Sequence, residues 1–337
     1  MKSRTLAAMS TSAVAVAAIA FAAGWSAQRA PVANAAGAPN AGIPGPVNPL
    51  WHDGKIKNYL PYMSWPEVDA LLKKSDMVII PVGAMEQHGL GGPIGTDYLN
   101  GTQRALLVAQ QTDALVAPIL IPGQSPYHLE FPGSIALSSE TVERVYFEAA
   151  QSLIKQGFRR FLFLNSHAGN NAITSFIVDR INQETVAVAV ELGAAAATMR
   201  QPGGGGRSAD DAGNFDRHGG VGETSASLYL TPGLYDQSVA RPAKLTYPPH
   251  LAALVPKLKA GDRAAELVFL AETLKGTVTG KRTSTREMSD TGSWSELDPK
   301  TATAEAGRRA TESFVTSAVA FINHWKELRP LGANGSN

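Results

Sequence analysis

The chain has 337 residues, 44% of them hydrophobic and 18% charged, enough for one large domain with a sizeable buried core. It has no cysteine, which excludes disulfide frameworks, thiolate zinc sites, iron–sulfur clusters and cysteine nucleophiles. Lys and Arg total 30 against 29 Asp and Glu, a formal charge of +1, so no extended basic surface for nucleic acid is implied and the expected partner is a small molecule.

Lys2 and Arg4 precede the Ala- and Val-rich run LAAMSTSAVAVAAIAFAAGW, and the small residues of VANAAGAP follow, the order of an export leader. Residues 1–35 are expected to be a signal peptide, cleaved after Ala35 or at another site between Ala27 and Ala36. Taking Lys2, Arg4 and Arg29 from a charge of +1 leaves −2. The alternative is an uncleaved anchor, because the run approaches the roughly 20 apolar residues that cross a bilayer. Both readings put the main domain outside the cytoplasm, periplasmic or secreted, with membrane contact only if the leader stays attached.

Residues 36–50 read as a Pro- and Gly-containing lead-in, 51–330 as the main domain and 331–337 as a flexible tail. MVIIPVG from Met77 is a continuous apolar run and predicts a buried strand. A helix over 98–112 and a strand over 115–120 follow. Ser138 or Ser139 is placed to cap a helix running through Ile154, with Glu140 or Glu143 near its positive end. FLFLN at 161–165 predicts another strand, then a Gly/Asn turn, a helix over 172–183 and a strand over 185–190. This alternation predicts a three-layer α/β/α domain with a mainly parallel sheet. GGGG at 203–206 lacks a following GK[ST] and reads as a loop, not a phosphate cradle. Residues 276–295 are polar and turn-rich. A terminal helix over 301–325 carries Glu305, Arg308, Arg309 and Glu312, with Lys326 flanking it, and is expected to pack on the domain, not to enter a membrane.

Polar motifs fall where such folds place their sites, beyond the carboxyl ends of strands. In GAMEQHGLGGPIGTDYLN, Glu86 and His88 alternate along an extended backbone and can face one site, and Asp97 returns after a Gly/Pro-rich turn. In NSHAGNN, His167 stands at a strand end with Ala168 and Gly169 beside it. Imidazole and carboxylate together are donors for Zn(II) or Mn(II). In DRHGGVGETS, Glu223 is read as a further metal ligand, with helix capping as the plainer role, and His218 as a proton donor, with a supporting hydrogen bond as the alternative. His128 and Tyr127 in SPYHLEFPGS are placed in contact with substrate at a pocket rim or behind the groups that touch it, with loop packing as the plainer role of each. Asn165 and Asn170 are placed to orient the His167 loop, Asn170 equally as a helix cap. His250 and His324 have no ligand-like neighbours in sequence. Trp51, Trp65 and Trp294 offer apolar recognition surfaces that sequence separation cannot bring together.

EQHG, GTD, SPYHLEFPGSIALSSET, GFRRFLFLNSHAGNN, HGGVGETS and the late GSWSELDPKTATAEAGRR occur in an order that resembles the creatininase-like amidohydrolase family, from about Met77 through Ala320. The resemblance implies a layered α/β domain with a dinuclear metal centre that hydrolyses cyclic or linear amide-like C–N bonds. It carries Glu86, His88, Asp97 and His167 onto metal-ligand positions, Asp97 as the bridge, and matches His218 to a proton-transfer histidine. Two divalent ions, Zn(II) and/or Mn(II) with Fe(II) as a further option, are implied about 3.5 Å apart with a shared water. A homo-oligomer, commonly a hexamer in the family, is implied as well. Two departures separate the chain from creatininase itself. Gly169 stands where that enzyme has a ligating glutamate, a place Glu223 would have to fill, and the segment after Val190 reads ELGAAAATM without the tryptophans that enclose creatinine. Creatinine is therefore doubtful as substrate. The competing readings are a lactone or cyclic-ketone hydrolase and a noncatalytic, metal-organised binding or assembly protein.

Overall fold

The computed structural model describes residues 45–120, 122–200, 215–260, 262–273 and 284–332. The leader, most of the lead-in, GGGG at 203–206 and the end of the tail lie outside the described residues. The described residues belong to the unit Pro39–Asn337.

Four strands, β1 (Met77–Val82), β2 (Leu115–Val116), β3 (Arg160–Asn165) and β4 (Val188–Glu191), form a sheet of order β2-β1-β3-β4, every pair parallel. Helices α1 (Trp65–Leu72), α2 (Thr96–Thr112), α3 (Ser139–Gln156), α4 (Asn171–Glu184) and α5 (Leu192–Ala197) cover it, with α6 (Val221–Leu230) and α11 (Ala304–Leu328) from the later chain. Alternation along the strands divides the core. Val78, Ile80, Val82, Phe161 and Phe163 pack on Leu71 of α1, Val142 and Tyr146 of α3 and Ile177 and Ile181 of α4. Met77, Ile79, Leu162 and Leu164 pack on Leu106 of α2, Leu192 of α5 and Val315 and Ile322 of α11. These are the three layers the alternating pattern predicts. Four short helices, α7 (Pro249–Ala252), α8 (Val255–Lys259), α9 (Arg263–Thr273) and α10 (Thr285–Met288), gather with Phe215, Phe269 and Trp294 around a smaller core.

Two strands differ from expectation for local reasons. β2 stops at Val116: Ala117 N–H still donates to the Ile79 carbonyl, but Pro118 has no N–H with which to continue a ladder. β4 begins at Val188 because Thr185 finishes α4, its N–H and its hydroxyl both donating to the Ile181 carbonyl. Ser138 caps α3, accepting from the Thr141 N–H. Among the described residues no helix is long and apolar enough to cross a membrane.

Candidate metal centre

Beyond β1 the chain is pinned along the carboxyl edge of the sheet. Met85 N–H donates to the Pro122 carbonyl, Glu86 N–H to that of Ile94, and the Met85 carbonyl accepts from Ile135. These bonds bury Glu86 and His88 almost completely, at 1% and 2% exposed. Asp97 lies in the first turn of α2, where the helix dipole favours a carboxylate. Ser166, just after β3, donates its hydroxyl to the Asp97 carbonyl at 2.8 Å and ties α2 to the sheet. Asn165 clasps the next loop by accepting from His167 N–H at 3.1 Å and donating to its carbonyl at 2.8 Å. Glu223 is in the first turn of α6, which begins two residues before it, at Val221. Asp216 caps that helix, accepting from Val221 N–H at 3.0 Å, Gly222 N–H at 3.2 Å and the Ser295 hydroxyl at 2.6 Å.

Three segments distant in sequence thus meet. Ligand-type atoms cluster as Glu86, Asp97 and His167, as His88, Asp97 and Glu223, and as Glu86, His88 and His218, each set within 4.8 Å. Asp97 belongs to the first two: its Oδ2 is 3.2 Å from His167 Nδ1, and its Oδ1 is 3.4 Å from His88 Nε2. Glu86 Oε1 lies 3.1 Å from His167 Nδ1, and Glu223 Oε2 lies 3.7 Å from His88 Nε2.

Hydrogen-bond bookkeeping shows that the cluster suits a cation. Carbonyls only accept, so the proton on each imidazole is assigned by the carbonyl it meets. His88 Nδ1–H donates to Glu86 O at 3.0 Å, His167 Nε2–H to Gln124 O at 2.9 Å and His218 Nε2–H to Gln87 O at 2.5 Å. The remaining nitrogens, His88 Nε2, His167 Nδ1 and His218 Nδ1, face carboxylate oxygens with lone pairs. Glu86 Oε2, His88 Nε2 and Asp97 Oδ2 are buried without a hydrogen-bond partner. Lone pairs converging in a buried space require positive charge between them, and the His/carboxylate donor set is that of divalent zinc or manganese sites.

Protons respond to the same field. Burial opposes charge on His88, yet Asp97, Glu223 and Glu86 raise its pKa to about 10. His167 is likewise raised well above the ordinary range, Glu86 and Asp97 overcoming burial. Burial pushes Asp97 up, but His88 and His167 prevail and hold it well below the usual carboxylate range. Loss of water, then Asp97 and Glu86, raise Glu223 to about 7 against the pull of His88. Burial, with His88 and His167 adding to it, holds His218 well below its ordinary value, as a neutral ring.

The other predicted residues fall behind this cluster. His128 is 1% exposed and sits against Glu86, away from any rim. Tyr127 Oη is 3.2 Å from His167 Nε2, and burial raises its phenol pKa well above the ordinary value. Asn170 stands before α4, but its side chain does not cap it. It donates to the Gly83 carbonyl at 2.9 Å and accepts from Gln124 N–H at 3.1 Å, joining three loops. A Cβ at Gly169 would lie 2.3 Å from His167 Nε2 and 2.6 Å from Tyr127 Oη, so no side chain fits there. Trp294 alone of the three tryptophans reaches the site, its ring 6.1 Å from those of Tyr127 and His128. Trp65 is 81% exposed, and Trp51 Nε1 donates to the Pro232 carbonyl. His250 and His324 are exposed and remote in role, His324 pairing with Glu327. Sequence reasoning missed Gln87, Thr285 and Asp216. Only Asp216 left a signal, an acid five residues ahead of a helix start.

The fold and site define a metal-organising α/β protein compatible with a dinuclear-metal hydrolase that acts on a small amide-like molecule. Residues 61–322 match the Creatininase family, creatinine amidohydrolase, and the chain belongs to that family. It is 30% identical to the mycofactocin precursor peptide peptidase of Mycolicibacterium smegmatis over 270 residues, covering 75% of this chain and 87% of the relative. Creatinine amidohydrolase of Pseudomonas putida is 32% identical over 126 residues, 36% of this chain and 47% of that one. The crystal structure of a creatinine amidohydrolase shares the fold with a TM-score of 0.56 and 22% identity over 80% of this chain and 97% of the other. Creatininase-like catalytic machinery is therefore present, at an identity too low to establish creatinine as its substrate.

Proposed function

We propose that the chain hydrolyses an amide C–N bond in a small molecule with two divalent ions, zinc or manganese, one held by Glu86, Asp97 and His167 and the other by His88, Asp97 and Glu223. The observation that carries this is the pair of triads sharing Asp97, with unpartnered lone pairs facing one another in a buried space. Glu223 would supply the carboxylate that Gly169 cannot. Solved creatininases of Zn–Zn and Mn type agree with this choice of metals. Such ions, when bound, lower the pKa of water and polarise a carbonyl.

The chain's own residues supply the proton path. His218 Nε2–H is committed to the Gln87 carbonyl, leaving Nδ1 as a neutral base 3.4 Å from Glu86 Oε1. It would take a proton from the attacking water at Nδ1 and return it to the departing nitrogen, base first and acid second. Linear amides rank above creatinine, because the sequence match to the peptidase runs through most of the chain whereas the sequence match to the Pseudomonas putida creatinine amidohydrolase covers about a third. Export of the domain, on the strength of the N-terminal pattern, and a homo-oligomeric assembly belong to the same proposal.

The test is a panel of formamides, short peptides and lactams, offered to the metal-loaded domain and to its Asp97→Ala variant. Turnover of one class, absent from a folded variant, is the expected result. A metal-replete protein inert to the whole panel would defeat the amide reading and favour a lactone or ketone hydrolase or a binding protein.

A further inference from the structure

Glu86 is faced from two sides. Its Oε1 faces His167 Nδ1 and His218 Nδ1 at 3.1 and 3.4 Å, while Oε2, buried without a hydrogen-bond partner, has His128 Nε2 as a neighbour at 3.5 Å, beyond a formed hydrogen bond. His128 joins none of the three ligand clusters. Its Nδ1 lies 2.7 Å from Thr285 Oγ1 and 3.0 Å from Gln87 Nε2. The orientation of the Gln87 amide is fixed by its other contacts, since Oε1 accepts from Gly89 N–H at 2.8 Å and Nε2 donates to the Gly292 carbonyl at 2.9 Å. The second amide hydrogen has two ring nitrogens in reach, His128 Nδ1 at 3.0 Å and His218 Nε2 at 3.1 Å; the latter carries the proton given to the Gln87 carbonyl, so His128 Nδ1 is the acceptor and its ring proton sits on Nε2, toward Glu86.

The segment that carries Thr285 and Gly292 is thereby joined to the site twice. Gly292 has φ +90°, and a Cβ there would fall 2.0 Å from Gln87 Oε1, so the close approach requires glycine. Ser284 adds a third tie, its hydroxyl donating to Glu130 two residues past His128 at 2.7 Å.

We infer that His128 is a positioning residue: clamped by Thr285 and Gln87, it directs its Nε2–H at Glu86 Oε2 and so biases Oε1 toward the triad of Glu86, Asp97 and His167. This rests on the dinuclear reading and adds to it that the two ion positions are unequal. Only the one that uses Glu86 depends on residues 284–292, and the other is independent of them. Donors behind a ligand typically contribute 10- to 100-fold in metal affinity.

Zn(II) binding to the metal-stripped full chain, measured by competition with a chromophoric chelator, tests this without any substrate. Wild type is expected to bind two ions. His128→Ala is expected to keep one at wild-type affinity and bind the other roughly 10- to 100-fold more weakly. Thr285→Val should move the same ion by less, and His128→Gln, which restores an N–H, should recover part of the loss. Glu223→Gln should weaken the opposite ion. A folded His128→Ala protein that binds both ions as tightly as wild type, or loses both equally, overturns the inference while leaving the hydrolase reading intact. If His128→Ala does not fold, an unaltered Thr285→Val protein has the same force. Wild type binding fewer than two ions overturns both readings together.

Discussion

The sheet buries charge at both of its ends, and the two ends handle it differently. At the amino ends, Asp76 and Arg160 pair with side chains 8% and 3% exposed. Arg160 Nε donates to Asp76 Oδ1 at 2.6 Å, and Nη1 donates to the Arg329 carbonyl at 2.9 Å. One charge meets its opposite, and the pair needs nothing further. At the carboxyl ends Glu86, Asp97 and Glu223 meet the rings of His88, His128, His167 and His218, with no Lys or Arg paired to those acids among the described residues. The half-buried Arg104 acts on Glu223 and Asp97 without forming an ion pair with either, so that end still calls for added positive charge. Burying charge is expensive, so a self-neutralising pair reads as architecture and a cluster that needs a cation reads as chemistry.

The sharpest way to break this comparison is Asp97→Ala. If the carboxyl end is built around shared ions, the variant should fold, retain neither ion at wild-type affinity and lose activity by on the order of 1000-fold or more, since residues acting as one unit fail together. Metal analysis beside circular dichroism checks it, and a folded variant that still holds two ions would refute the bridging role. His218→Ala should do less. Both ions should remain, while turnover falls about 100-fold or more, the usual contribution of a positioned acid or base. Normal turnover at full occupancy would remove His218 from the proton path, and loss of the ions would make it a ligand of the third cluster.

Much of this contrast is legible in the sequence, because it is carried by short-range pattern. MVIIPV and RFLFLN are buried on both faces and read as central strands, and the ligands follow within a few residues of their ends. Other features depend on contacts that spacing cannot reveal. Gln87 meets Gly292 across 205 positions, and Thr285 meets His128 across 157, so neither advertises a role. Helix α1, absent from the elements that the apolar alternation predicts, still has a legible start, because Ser64 and Glu67 form a capping box with Pro66 between them. The short helices α7 to α10 span too few turns to show a period, apart from α9. Gly169 reads in sequence as a missing ligand, and only geometry shows that the position excludes any side chain.

The amino end is sharpened by Arg160→Met. Removing the guanidinium leaves Asp76 buried without its partner, a loss of about 3 to 5 kcal/mol by analogy with other broken buried pairs. Denaturant unfolding should report that loss while both ions stay bound at wild-type affinity. A variant that is stable but sheds its metal would mean that the two ends are coupled and the comparison is false.

A smaller effect separates the ends by pH. In the metal-free protein His88 titrates near 10 and His167 well above its ordinary value, both raised over the 6.5 expected of the unfolded chain. Their contribution to stability is therefore complete below pH 6.5 and is lost as pH rises toward 10. Glu223, raised from 4.5 to about 7, acts with the same sign, its contribution lost as pH climbs through 7. His128 and His218, both depressed, lose theirs only on the acid side, so they do not oppose the trend above neutrality. The melting temperature of the metal-free protein should thus fall by a few degrees between pH 7 and 9.5, and saturating Zn(II) should flatten the fall by replacing the protons that were lost. An equal decline with and without the metal would place the sensitivity elsewhere in the molecule and deny that protons and ions compete for the same lone pairs.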